Sequence, residues 1–189
     1  ALKDRLQHHF RIARDAEISV EIDPNDMDDA KLDALARFGL TRASLGVQDF
    51  DAAVQRAINR PQSFADTKRV VDGLRHLGVG SVNLDVLYGL PLQTTEKLLR
   101  TIAQVVSLAP DRVALFGYAH VPWVKKHQTM IATDTLPDAA IRFEQATLAA
   151  EALVSAGYVR IGLDHFARPD DKMAAAALAG DLRRNFQGY

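Results

Sequence analysis

Glu21, Gln48, Asn83 and Asp85 occupy the polar phase of short alternating stretches, and Arg60 follows the second of these. A carboxylate can hold an ammonium or a pair of hydroxyls, and a guanidinium holds a carboxylate through two parallel hydrogen bonds. Together the set suits an amino-acid-like ligand that also carries ribose hydroxyls. Glu21 and Asp85 would be costly to enclose unpaired. They therefore need such a ligand or a cation such as Arg60. The plainer readings are a surface arginine for Arg60 and turn or cap carboxylates for strand-end acids. The turn reading is strong for Asp23, which precedes Pro24, and fair for Asp49.

Other candidates lie further along. Tyr118 and His120 alternate with Ala114 and Phe116, an aromatic and partly polar wall that either meets a large flat substrate or simply packs. The run from Gly162 to Asp171 holds His165 and Arg168. It reads either as a strand-to-helix turn with Asp caps or as a loop carrying both residues to an acidic substrate. His120, His165, Glu21 and Asp85 also admit a divalent-metal hydrolase site, although no local motif such as His-Glu-x-x-His supports one.

The elements that must position these residues repeat. Ser19–Asp23, Ser44–Gln48 and Ser81–Asp85 alternate polar or small with apolar, each a strand with one apolar face. Helical patterns separate them: about 29–38, 52–58, 64–77 and 94–108. Strands so separated lie parallel in one sheet with helices over the apolar face. A fourth strand is expected over Arg112–His120, a long helix over about 138–156, and a peripheral strand over Tyr158–Leu163. The fold class is α/β: about four strands of a partial parallel barrel, with part of an α/β extension. Residues 1–121 form the barrel part and 122–189 the linker, helix and start of a further domain. Closed barrels fill their interior mostly with Val, Ile and Leu. A polar inner face instead points to a polar ligand, bound at the carboxyl ends of the strands.

Composition narrows the class. The 189 residues suit one domain with an extension, and a net charge of −1 argues against nucleic acid or an anionic membrane as a bulk partner. No apolar run approaches the ~20 residues that span a bilayer. The chain has no cysteine, compatible with a cytoplasmic location and excluding thiolate metal ligation. The amphipathic stretch Ala1–Ala16 runs into the first strand without an initiator Met, which reads as an excised fragment. Its first strand is expected to expose an edge through which the fragment self-associates.

Several segments resemble one family: Ile18–Pro24, Leu45–Phe50, Asn83–Pro91, Tyr118–His120, Gly162–Pro169 and Arg184–Tyr189. The family is oxygen-independent coproporphyrinogen III oxidase, a radical S-adenosylmethionine (radical SAM) enzyme of haem biosynthesis. Asp164–Pro169 and Asn185–Tyr189 are its most specific signals. The resemblance implies a three-quarter (β/α)6 barrel holding a [4Fe–4S] cluster and two SAM molecules. It implies oxidative decarboxylation of two propionates of a porphyrinogen substrate, started by a 5′-deoxyadenosyl radical and giving protoporphyrinogen IX. A reductant such as flavodoxin and a monomeric parent are implied too. Carried over by position, Glu21 contacts the cluster-bound SAM, and Gln48, Arg60, Asp85 and Ala119 contact the second; at Ala119 a backbone group would serve. Tyr118, His120, His165 and Arg168 are candidate substrate contacts. The family's Cys-x-x-x-Cys-x-x-Cys motif is missing, so a cluster is not expected on this fragment and the fragment alone is expected to be inactive. A related haem chaperone and a metal-dependent barrel hydrolase are the alternatives.

Overall fold

The computed structural model describes residues 2–183; the Asn185–Tyr189 run lies outside the described residues. Four strands, β1 (Ser19–Ile22), β2 (Arg42–Gln48), β3 (Ser81–Tyr88) and β4 (Arg112–Gly117), pair in parallel. Helices connect or flank them: α1 (Leu2–His9), α2 (Asp29–Phe38), α3 (Ala52–Ala57), α4 (Phe64–His76) and α5 (Thr95–Ser107). Then come α6 (Ala139–Ser155), β5 (Val159–Ile161), β6 (His165–Ala167) and α7 (Lys172–Ala179). The sheet order is β1-β2-β3-β4-β6-β5, open at β1, as expected of a partial barrel.

Alternation decides which face is covered. Ala43, Leu45 and Val47 on β2 and Val82, Leu84 and Val86 on β3 are buried beneath the helices. The helices answer at i, i+3, i+4 spacing: Val70, Val71 and Leu74 on α4, and Leu98, Thr101, Ile102 and Val105 on α5. Each large apolar side chain so enclosed contributes ~1.5–3 kcal/mol. Side-chain caps start the helices: Asp28 accepts from the Lys31 N–H at 2.8 Å and Asp138 from the Ile141 N–H at 2.9 Å. The opposite sheet face carries half-buried Ser44, Gly46, Gln48, Asn83 and Asp85, the polar interior read from the alternation.

Three expectations are corrected. Within the Gly162–Asp171 run, His165–Ala167 is a strand, while Asp171 does cap the helix that follows: β6 pairs antiparallel with β4 and β5, with His165 opposite Ala114 and Ala167 opposite Arg112. A three-residue strand is too short to display periodicity, and Phe166, fully buried, holds it in the core. The fourth strand stops at Gly117, so Tyr118 and His120 belong to the loop after it. The opening helix ends at His9, buries no residue and does not run into β1. Lys3 ties it to the end of α2 by donating to the Arg37 carbonyl at 2.7 Å, and eight residues are marginal as a helix alone.

Candidate functional site

At the carboxyl ends of β1–β3, a cavity of about 280 Å3 is lined by Glu21, Asp23, Ser44, Gly46, Gln48, Arg60 and Asp85. Four expected site residues therefore meet: Glu21, Gln48, Arg60 and Asp85. Their partners differ from expectation. The Arg60 Nη2 lies 2.9 Å from Asp23 Oδ2 and donates to the Gly46 carbonyl at 3.3 Å. Arg60 thus neutralises Asp23, not Glu21 or Asp85. Asp23 also accepts from the Asn25 N–H at 3.0 Å, so its turn role and its ion pair coexist. The Arg60 Nε is buried with no hydrogen-bond partner among the described residues. Glu21 is exposed at the mouth because β1 is the sheet edge, so no burial cost falls on it.

Asp85 is met by neutral donors. Asn83 Nδ2 donates to its Oδ1 at 2.7 Å, and Ser44 Oγ donates to its Oδ2 at 3.1 Å. Asn83 also donates to Ser44 Oγ at 2.8 Å, closing a three-residue network. Burial pushes the Asp85 carboxyl above the usual carboxylate range; the Asn83 and Ser44 donors pull part of this back, and the charge of Glu21 adds to the rise. Ser44 and Asn83 were part of the polar pattern, but their role in holding Asp85 depends on strand register, which aligns Ser44 with Asn83.

Gln48 sits where the β2–β3 register shifts, with φ of +63°. For a residue with a Cβ this left-handed conformation is uncommon, and it re-aims the side chain at the strand end. Its amide folds over Gly46. A Cβ on Gly46 would stand 3.0 Å from both Gln48 Nε2 and Arg60 Nη2, so glycine here leaves the cavity its depth.

The remaining candidates lie outside this cavity's lining, although His165 is opposite Ala114, itself opposite Asp85, and its charge acts to lower the Asp85 carboxyl. Tyr118 Oη lies 3.2 Å from His120 Nδ1, in the loop beyond β4. Burial raises the Tyr118 hydroxyl above its ordinary value. His165 presents its ring edge to Phe116, with centroids 5.7 Å apart, and its Nδ1 lies 2.7 Å from Asp164 Oδ1. Ala119 does not line the cavity, and its carbonyl accepts from Gln128 Nε2 at 3.0 Å. Arg168 is at the wrong end: β6 runs antiparallel and delivers it beside the amino end of β4, where its N–H donates to the Asp111 carbonyl. There it pairs with Asp170 at 3.2 Å. Asp49 is a structural hub, fully buried and accepting from Gln93 Nε2 at 2.6 Å, Thr101 Oγ1 at 3.0 Å and the Asp51 N–H at 2.5 Å. Burial raises its carboxyl as well.

Another cavity, about 420 Å3, lies at the amino ends of the strands between Glu17, Arg42, Ser81, Asp111 and Asp171. Its charges largely satisfy one another: Arg42 pairs with Glu17 at 3.0 Å and Arg112 with Asp171 at 2.7 Å. At this floor of the sheet, Arg42 Nε and Ser81 Oγ are buried without a hydrogen-bond partner among the described residues; parallel α/β sheets bind ligands at the opposite, carboxyl ends of their strands.

The open parallel sheet with a polar cavity at its carboxyl ends has a counterpart in known proteins. A family model described as the radical SAM superfamily matches residues 1–105, and the chain belongs to that superfamily. It is 54% identical over 180 residues to the oxygen-independent coproporphyrinogen III oxidase of Paracoccus denitrificans, covering 95% of this chain and 40% of that protein. It is 55% identical to the same-named protein of Bradyrhizobium diazoefficiens, covering 97% and 41%. Among solved structures it matches the Escherichia coli coproporphyrinogen III oxidase, titled a radical SAM enzyme, with a TM-score of 0.96 and 41% identity over 100% of this chain and 43% of that one. The chain thus spans about 40% of the length of these relatives. No helix among the described residues is long and apolar enough to cross a membrane.

Proposed function

We propose that these residues are the SAM-binding half of an oxygen-independent coproporphyrinogen III oxidase. The carrying observation is the cavity. Two carboxylates, an amide and a guanidinium with an orphaned Nε surround a glycine floor. This donor set fits the ammonium, carboxylate and ribose hydroxyls of SAM. Glu21 serves one SAM; Gln48, Arg60 and Asp85 serve a second. Ala119, outside the cavity lining, can offer that second molecule only a backbone group. SAM, when bound and cleaved by a one-electron reductant, would supply the radical that abstracts a hydrogen from a propionate side chain, whose carboxyl group then leaves as carbon dioxide while one electron passes to an acceptor and a vinyl group remains. The chain itself binds and orients. It has no cysteine to hold a [4Fe–4S] cluster, and among the described residues no group of three His, Asp or Glu could hold a metal ion. The hydrolase alternative has no observation in its favour.

The test is a transplant. These 189 residues replace the matching part of the Paracoccus denitrificans relative, and anaerobic conversion of coproporphyrinogen III is followed by product fluorescence after oxidation. Conversion within about tenfold of the parent supports the reading. A folded chimera that carries its cluster, binds no SAM and converts nothing overturns it.

A further inference from the structure

The loop after β4 is built to hold a shape. The chain leaves β4 at Gly117, where a Cβ would stand 2.9 Å from the Tyr88 hydroxyl, so the strand end and Tyr88 approach as closely as glycine allows. The Tyr118 N–H donates to the Tyr88 carbonyl at 2.8 Å, and Arg142 of α6 donates to the Tyr118 carbonyl at 2.8 Å. Buried Gln128 then staples the turn from beneath: its Oε1 accepts from the Val121 N–H at 2.6 Å and its Nε2 donates to the Ala119 carbonyl.

What this supported turn presents is unusual for solvent. Trp123 is 78% exposed and Val124 65% exposed. Beside them, exposed Lys125 and Lys126 have no side-chain hydrogen bond or ion pair among the described residues. A fixed apolar surface flanked by two unpaired ammoniums is complementary to a large apolar body bearing carboxylates. The turn stands at the carboxyl end of β4, the same end of the sheet as the SAM cavity.

We infer that the Trp123–Lys126 turn is a substrate rim: Trp123 and Val124 pack against the porphyrinogen macrocycle, and Lys125 and Lys126 hold its carboxylate arms. This rests on the oxidase reading proposed above and adds residues to it. It also answers how the acidic substrate is gripped, since Arg168 lies at the far end of the sheet.

Trp123 is the single tryptophan of the chain, so its fluorescence reports on the turn alone. The 189-residue chain is titrated with coproporphyrin III, the stable oxidised form of the substrate, and separately with its tetramethyl ester. Saturable quenching by the free acid is expected, weakened about tenfold in the Lys125→Gln/Lys126→Gln variant. The ester should bind wild type and variant alike. SAM affinity by calorimetry should be the same in both. Equal free-acid affinity in wild type and variant, or no saturable quenching, overturns the rim. If SAM binding persists through that failure, the oxidase reading survives it; if wild type binds the porphyrin and not SAM, the SAM assignment fails while the rim stands. Quenching that tracks self-association in light scattering, without porphyrin, identifies a second copy as the occupant and also overturns the proposal.

Discussion

Asp171 is the residue whose loss should damage this structure most, and the size of the effect follows from its contacts. Arg112 Nε lies 3.0 and 2.9 Å from its two oxygens and Nη2 lies 2.7 Å from Oδ1. The side chains are 11% and 8% exposed, so the pair is desolvated. The same carboxylate caps α7 by accepting from the Met173 N–H at 2.7 Å. Removing one partner of a buried pair costs about 3–5 kcal/mol, because the other charge is left uncompensated. A lost N-cap adds ~1 kcal/mol. Arg42 sharpens the loss: burial, then the charge of Arg112, already holds its guanidinium below the ordinary value, and Asp171 is one of the acids that offset this. Some relaxation of Arg112 toward water brings the total for Asp171→Ala to about 4 kcal/mol. That is a large share of the ~5–15 kcal/mol that stabilises a typical domain. Asp171→Asn keeps a cap acceptor but not the charge, and should cost about 3 kcal/mol. In an Arg112→Met background the Asp171 carboxylate is itself left without its partner, so Asp171→Ala loses the cap but relieves a buried charge and should cost no more than ~1 kcal/mol. Urea denaturation followed by far-ultraviolet circular dichroism measures all four corners of the cycle. If Asp171→Ala costs under ~1 kcal/mol, or costs the same in both backgrounds, the ionic floor does not tie the β6–α7 segment to the barrel strands.

Two further substitutions probe the cavity. Burial raises the Asp85 carboxyl, so its charge opposes folding. The penalty is absent below the unfolded carboxylate value of about 3.9, grows as pH rises toward the raised folded value, and is constant above it. Asp85→Asn should therefore melt higher at pH 7 by ~2–4 °C and no higher at pH 3, while binding SAM at least ~10-fold more weakly. A lower melting temperature at pH 7 refutes the electrostatic argument. Gly46→Ala places a methyl 3.0 Å from the movable ends of Arg60 and Gln48. It should change stability by less than ~1 kcal/mol yet weaken SAM binding at least ~10-fold; unchanged calorimetric affinity would show that the glycine floor is not a cradle.

The polar interior was legible because alternation at period two holds along β2 and β3, and register then needs only the sheet to form. The gathering of Glu21, Gln48, Arg60 and Asp85 followed from placing strand ends together. Three things were hidden. The Arg60–Asp23 pair joins residues on separate βα units, and nothing local distinguishes Asp23 from Glu21 or Asp85 as the partner. The reversal of direction at β6 moved Arg168 to the floor, and a strand of three residues carries no readable period. Asp49 reads as a turn carboxylate because it ends a strand, and it does accept from the Asp51 N–H, but its burial with Gln93 and Thr101 joins residues 44 and 52 positions away in sequence.

The Ser44–Asn83–Asp85 network has a consequence for how the cavity treats a ligand. Asn83 and Ser44 each donate to a different Asp85 oxygen, and each oxygen keeps a second acceptor position. The carboxylate is therefore oriented but not saturated, and its desolvation is only partly offset. Arg60 is in the same condition, with Nη2 engaged and Nε buried without a partner. A site that closed these positions internally would be more stable and would bind nothing polar. Here the unpaired capacity is of both signs: acceptor positions on Asp85 and a donor on Arg60. A ligand with both an acidic and a hydroxyl- or ammonium-bearing end relieves both at once, whereas a simple anion or cation relieves one and leaves the other buried. That pairing is the ground for proposing SAM, rather than a phosphate or a metal ion, as the ligand of this cavity.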